Sequence, residues 1–240
     1  MLELKNIVWK APDGKVVLDG LNLTIPTGKL VVITGPNGSG KTTLAKLIAG
    51  IDIPSGGQML LDGEDITSLD ITERAKMGIS YAFQQPVRFK GITVRQLIGI
   101  AAGHEIGETG LCRILASVGL CARDYIDREV NSTLSGGEIK RIEIATLIAR
   151  DTRLMVFDEP EAGIDLWSFK NLIGVFDKLH KRGDMTLVII SHQERILRIA
   201  DEIVLIADGK VKASGGPDEM MTHVFTSGSI KSNCLVGEEC

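Results

Sequence analysis

No apolar run in this 240-residue chain approaches the ~20 consecutive residues that carry a helix across a bilayer. If the protein works at a membrane, another chain is expected to supply the spans. Cysteine is sparse, and Cys112, Cys121, Cys234 and Cys240 show no C-x-x-C spacing, so reduced thiols are expected rather than a zinc or dithiol motif. Cys234 and Cys240 lie in a polar stretch with no third cysteine or histidine beside them. Basic residues are not in excess: the formal net charge is -4 and both signs are interspersed, so no face for nucleic acid is expected. The start, MLELKNIVWK, lacks the basic end, apolar stretch and cleavage site of a secretory signal. A cytoplasmic location with no direct membrane insertion is therefore expected.

What is present is an ordinary globular composition, 44% apolar and 24% charged, in a length that suits one large domain with a subdomain grafted on. Up to residue 34 the apolar positions alternate as in β-strands: Leu2, Leu4 and Ile7, then Val17, Leu18, Leu21, Leu23 and Ile25. Three short continuous apolar runs follow along the chain, Leu30–Ile33, Leu154–Phe157 and Leu187–Ile190. Such runs suit strands buried on both faces of a parallel sheet. Helical spacing over Thr42 to Gly50, over 135–150 and over 167–181 alternates with them, which predicts crossover units. Between Phe83 and Leu134 short helices, near 93–102 and 110–119, replace strands. The expected fold is α/β, with a mainly parallel sheet in the core (1–84 and 151–222), an N-terminal antiparallel β subdomain, an inserted helical subdomain (85–150) and a mobile tail (223–240). The motif G-x-x-x-x-G-K-T at Gly35–Thr42, right after the first apolar run, makes that core a P-loop NTPase core.

The first chemical signal is Gly35-Pro36-Asn37-Gly38-Ser39-Gly40-Lys41-Thr42, followed by Thr43. It matches G-x-x-x-x-G-K-[ST] between a buried strand and a helix. Glycine lets successive backbone N–H groups turn toward phosphate, and the helix N-terminus adds its field. Lys41 suits the β- and γ-phosphates of ATP, and Thr42 suits a Mg²⁺ ion. The second apolar run ends in Asp158-Glu159. Two adjacent carboxylates on an extended backbone point to opposite sides, so they can hold different jobs. Asp158 is expected in the coordination sphere of the metal, and Glu159 beside the attacking water.

Leu134-Ser135-Gly136-Gly137-Glu138 precedes that run. Ser-Gly-Gly at a helix start forms a second anion-binding end. The segment resembles the signature motif of ABC (ATP-binding cassette) ATPases, usually LSGGQ. The resemblance implies a head-to-tail homodimer formed with ATP, in which Ser135, Gly136 and Gly137 of one copy cap nucleotide held by the other. In the same way Gln84 resembles the family's Q-loop glutamine, near metal and water. Asp165 resembles the D-loop aspartate, and His192, after the third run, the switch histidine. Gln84, Glu159, His192 and Lys41 are then the expected catalytic set, and Thr42, Gln84 and Asp158 the metal set. Two stations depart from the pattern. Trp9 is either the adenine-stacking aromatic or ordinary strand packing, and Glu161-Ala162 stands where Thr-Ser or Ser-Asp is commoner.

The partner is read from finer likenesses. Ala82-Phe83-Gln84-Gln85-Pro86-Val87, Ser135-Gly136-Gly137-Glu138-Ile139-Lys140-Arg141 and Ser191-His192-Gln193-Glu194-Arg195-Ile196-Leu197 resemble segments of the Suf-type (SufC-like) ATPases of iron–sulfur cluster assembly. That likeness implies a SufB-like scaffold as partner. The alternative is the ATP-binding subunit of a membrane transporter, bound to that transporter's membrane subunit. A pure ATP-gated clamp ranks last, because Glu159 and His192 are both present.

Overall fold

The computed structural model describes residues 1–84, 88–131, 133–150 and 152–222. The expected tail, with Cys234 and Cys240, lies outside the described residues, as do Gln85, Pro86 and Val87. Strands β1 (Leu2–Lys10) and β2 (Val16–Ile25) pair antiparallel, Leu2 opposite Ile25 and Leu4 opposite Leu23. Next come β3 (Leu30–Thr34), helix α1 (Lys41–Ala49), β4 (Gly56–Leu61), β5 (Glu64–Asp65), helix α2 (Ile71–Lys76) and β6 (Ile79–Ala82). Four helices follow: α3 (Val94–Ala102), α4 (Glu108–Ser117), α5 (Ala122–Tyr125) and α6 (Gly136–Ala149). The chain continues through β7 (Leu154–Asp158), α7 (Leu166–Arg182), β8 (Thr186–Ile190), α8 (Glu194–Leu197), β9 (Glu202–Ala207) and β10 (Lys210–Gly215).

Two sheets result, in the orders β2-β1-β4-β5 and β10-β9-β3-β8-β7-β6. The larger one is parallel from β9 through β6, with β10 antiparallel at its edge. Every residue of β3, β7 and β8 is buried, which is why these strands read as unbroken apolar runs. Alternation sorts their side chains between two cores. Leu30, Val32, Met155, Phe157, Leu187 and Ile189 face the core shared with α3, α4, α6 and α7. Val31, Ile33, Leu154, Val156, Val188 and Ile190 face the one shared with α1, β1 and β2. The mixed α/β fold with its parallel sheet and antiparallel β subdomain is the one expected. Strands β4, β5, β6, β9 and β10 and helices α2, α5 and α8 were not anticipated.

The end of α1 is secured by a charge. Arg74, on α2, is fully buried and bonds mainly to main-chain oxygens: Nε donates to Leu69 O (3.0 Å), Nη1 to Ile48 O (3.1 Å) and Leu47 O, and Nη2 to Ile66 O (2.7 Å) and Thr67 O (3.2 Å), with the Met59 sulfur 3.9 Å from Nη1. Leu47 and Ile48 contribute two of the final carbonyls of α1; Leu47 O also accepts from the capping Gly50 N (3.1 Å), and Arg74 adds a donor to each. Burial lowers the guanidinium pKa to about 10, so it stays charged at neutral pH. Replacing it by methionine would strand several buried carbonyls. Arg74→Met is expected to cost about 2–4 kcal/mol in urea unfolding, and a cost under about 1 kcal/mol would show that water satisfies these oxygens instead.

Candidate nucleotide site

The loop from Gly35 to Thr43 leaves β3 and opens α1, as its motif requires. Gly35 has φ 144, and a Cβ there would lie 2.0 Å from Ile206 O on the neighbouring β9, so only glycine lets the loop leave the sheet here. Lys41 is buried and donates from Nζ to Gly35 O and Pro36 O, both at 2.8 Å. Burial lowers its pKa, while the Glu159 and Asp158 carboxylates act in the opposite direction. The Ser39 hydroxyl is buried and has no hydrogen-bond partner among the described residues. An orphaned hydroxyl and a half-desolvated ammonium in one glycine-rich loop fit the oxygens of a phosphate chain.

Asp158 ends β7 beneath this loop. Its Oδ1 accepts from Thr42 Oγ1 (3.2 Å) and its Oδ2 from Tyr81 Oη (3.0 Å). Burial raises the Asp158 pKa, and these two hydrogen bonds oppose the rise. Tyr81, on β6, is pushed far above its ordinary value, chiefly by burial, so it remains a donor. Tyr81 was missed from the sequence because the strand that carries it was missed. Glu159 does not continue the extended backbone as expected: the strand stops at Asp158, and Glu159 turns into the left-handed region at φ 45. Its amide donates to Ile190 O (3.0 Å), and its Oε2 accepts from Gln84 Nε2 (2.7 Å). Gln84, Glu159, Lys41 and Thr42 thus line one cavity of about 500 Å³, whose outer wall includes Lys15 and Val17. Trp9 is absent from that lining and packs against the β core.

The second motif stands apart from this cavity. Ser135 caps α6: its Oγ accepts from Glu138 N (3.3 Å), while Glu138 Oε2 accepts from Ser135 N (2.7 Å). Tyr125 Oη donates to the other oxygen of Glu138. Asp165 caps α7, accepting from Trp167 N and Ser168 N, each at 3.0 Å. The two helix starts touch where Gly136 and Gly137 leave room, since a Cβ on Gly137 would stand 2.3 Å from Ser168 Cβ and Oγ. None of Ser135, Gly136, Gly137, Asp165 or His192 lines the loop cavity. His192 is exposed just past β8. Its neighbour Ser191 donates from Oγ to Glu161 Oε1 (2.6 Å). Burial raises the pKa of Glu161, opposed chiefly by that bond.

The profile of the family described as ABC transporter matches residues 18–162. The chain belongs to the ABC transporter ATPase family. It is 42% identical to the ABC transporter ATP-binding protein MJ0035 of Methanocaldococcus jannaschii, a match over 85% of this chain and 84% of that protein. It is 36% identical to the sulfate/thiosulfate import ATP-binding protein CysA of Synechocystis sp., over 91% of this chain but only 61% of that protein's length. Among solved structures it resembles a nucleotide-free ATP-binding cassette from an ABC transporter (TM-score 0.81, 27% identity, 99% of both chains). It also resembles the dimeric cassette MJ0796 (TM-score 0.80, 26% identity, 90% of this chain and 99% of that one). These relatives carry the names of transporter ATP-binding proteins, and the expected Suf-type identity gains no support from them.

As an ABC ATPase the chain binds ATP with Mg²⁺ and hydrolyses it. The oxygen donors around Thr42 and Asp158 fit Mg²⁺, which favours hydroxyl, carboxylate and phosphate oxygens and keeps several waters. Among the described residues no cluster of three or more His, Cys, Asp or Glu is placed to hold a metal ion. Gly137 gives a direct test of the packing described above. Gly137→Ala is expected to lower stability by about 1–3 kcal/mol in urea unfolding, with Ser168→Gly restoring part of the loss; an unchanged midpoint would mean that the two helix starts separate freely.

Proposed function

We propose that this chain is the ATP-hydrolysing subunit of a membrane transporter and that two copies act head to tail. The observation that carries the transporter reading is an apolar cleft beside Gln84. It opens between β6, α3 and α6, holds about 350 Å³, and is lined by Tyr81, Phe83, Leu97, Ile100 and Ile139 among others. Phe83 and Ile100 at its rim are 44% and 68% exposed, an arrangement that suits an apolar segment of another chain. Among the described residues no helix is long and apolar enough to cross a membrane, so that other chain would hold the spans. The names of the relatives favour the same partner over a SufB-like scaffold.

In the proposed cycle, ATP lies against the loop Gly35–Thr43, with its phosphates on the loop amides and Lys41. Thr42 and Gln84 would hold Mg²⁺, with Asp158 behind Thr42; when bound, the ion would supply charge neutralisation at the phosphates. Lys41 gives up its two loop carbonyls for phosphate oxygens. Glu159, released from the Gln84 amide or sharing it, orients water in line with the γ-phosphate. Ser135, Gly136 and Gly137 are remote from this cavity in one chain, so they act on nucleotide held by a second copy, as the dimeric MJ0796 cassette suggests. Asp165 and His192 join at that interface, His192 at the γ-phosphate. The helical subdomain expected between the core segments contributes α3 and α6 to the partner cleft, and α6 is the signature helix.

Two substitutions separate binding from chemistry. Glu159→Gln should bind ATP, form a trapped dimer in size-exclusion chromatography and lose at least ~100-fold in turnover; near-normal hydrolysis would remove Glu159 from its role. Lys41→Ala should weaken nucleotide affinity by ~10-fold or more, read by fluorescent nucleotide titration, and unchanged affinity would count against the phosphate site. The partner is tested by capture of the tagged protein from its native cells. A polytopic membrane protein recovered only with detergent supports the transporter reading, and a soluble scaffold carrying iron and sulfide would overturn it.

A further inference from the structure

Parallel pairing of β6 with β7 ends at Ala82, opposite Phe157. The next main chain, that of Phe83, is held by side chains from α6 instead. Lys140 Nζ donates to Phe83 O (2.5 Å), and Phe83 N donates to Glu143 Oε1 (3.2 Å). Lys140 and Glu143 pair with each other at 2.9 Å, and the lysine is 1% exposed. Burial raises the Glu143 pKa, against which Lys140 works most strongly. A buried ion pair of this kind adds little stability over apolar residues of similar size, so stability alone gives poor reason for it. Its geometry offers a better one. It grips both polar groups of the residue before Gln84, whose amide reaches Glu159 at 2.7 Å. From the other side, the Phe83 ring rests edge-on against Tyr81 (centroids 4.9 Å apart), whose hydroxyl holds Asp158.

We propose that Lys140 and Glu143 are positioning residues for ATP hydrolysis: by clamping the Phe83 main chain they set Gln84 against Glu159 and tie that contact to the helix that begins at Ser135. The inference rests on the role given above to Gln84. A shift of α6, whose start meets the second copy's nucleotide in the proposed dimer, is then passed through one residue to the Gln84–Glu159 contact. Partner pressure on Phe83 in the apolar cleft enters at the same residue, because Phe83 and Glu143 both line it.

The test is a double-mutant cycle in the full chain. Lys140→Met/Glu143→Leu keeps the volume and should fold; Glu143→Gln, which keeps an oxygen for Phe83 N but drops the charge, serves as the milder variant. Each is expected to lower kcat, by ~10-fold for the double change, while the KM for ATP moves less than ~2-fold. In a Gln84→Ala background the same changes should lower kcat by less than ~2-fold further, since the route they act through is already cut. Equal losses in both backgrounds, or an unaltered kcat with Gln84 present, would overturn the proposal. Hydrogen exchange at the Phe83 amide reads the clamp independently and should quicken by ~10-fold or more in the double variant. If Gln84→Ala alone left kcat unchanged, the role of Gln84 would fall; unchanged exchange at Phe83 would instead defeat the clamp itself.

Discussion

Register across three parallel strands sets where every polar group of this site can stand. Ile33 of β3 pairs with Ile190 of β8, and Ile190 pairs with Asp158 of β7. Because the strands run the same way, the chain leaves all three at one edge of the sheet. The loop beginning at Gly35, the turn at Glu159 and the segment Ser191-His192 therefore emerge side by side. Burial on both faces makes that register costly to change, since a slip by one residue would exchange the two cores that the alternating side chains fill. The Thr42–Asp158 hydrogen bond then joins the first turn of α1 to the end of β7. The ligand crevice at the strand ends is thus a consequence of topology before any motif residue contributes to it.

Three buried cations show how the fold separates fixed charge from usable charge. Arg74 is bound to five carbonyls at the end of α1 and in the segment before α2, with the Met59 sulfur beside them, and its five donors are engaged. Lys140 has one carbonyl and one carboxylate, both on or beside its own helix. Among the described residues Lys41 has two loop carbonyls as partners, on a loop whose Ser39 hydroxyl has none. Main-chain carbonyls are weaker partners for an ammonium than phosphate oxygens, which carry full charge. Of the three, Lys41 is the cation whose partners can be exchanged, and it is the one exposed to the cavity.

What could be read from the sequence follows from burial. β3, β7 and β8 are legible because strands covered on both faces tolerate only apolar residues. β4 has exposed Gly57 and Gln58, and β10 alternates half-buried and exposed positions without a strongly apolar face, so neither carries a clear period-2 signal. β6 is four residues long and passed unnoticed, and Tyr81 went with it. The phosphate loop was legible as a unit, since glycine, lysine and threonine are each required by one backbone path. Trp9 was ambiguous because strand packing and base stacking ask for the same residue type. The Suf-type partner gains no support from the names of the relatives, and the residues behind that likeness have roles inside the chain. Of the three segments behind that likeness, Ser135–Arg141 contains Glu138 and Lys140, and both make bonds inside the chain, to Ser135 and Tyr125 and to Phe83 and Glu143. They report how α6 is seated, which any partner would require.

Glu159 concentrates the remaining tension. A glutamate at φ 45 costs on the order of 1–2 kcal/mol against an extended backbone, and a glycine would remove that cost. Had the strand continued, Glu159 would have turned its side chain away from Asp158 by simple alternation. The left-handed turn breaks that alternation, with the amide fixed on Ile190 O and the carboxylate on the Gln84 amide. Asp158 stays beneath Thr42 and Tyr81, while Glu159 reaches the cavity that Lys41 lines. The backbone strain therefore separates two adjacent carboxylates that would otherwise compete for one environment. Keeping a glutamate at a position that glycine would relax is explained if the carboxylate is needed where that turn delivers it.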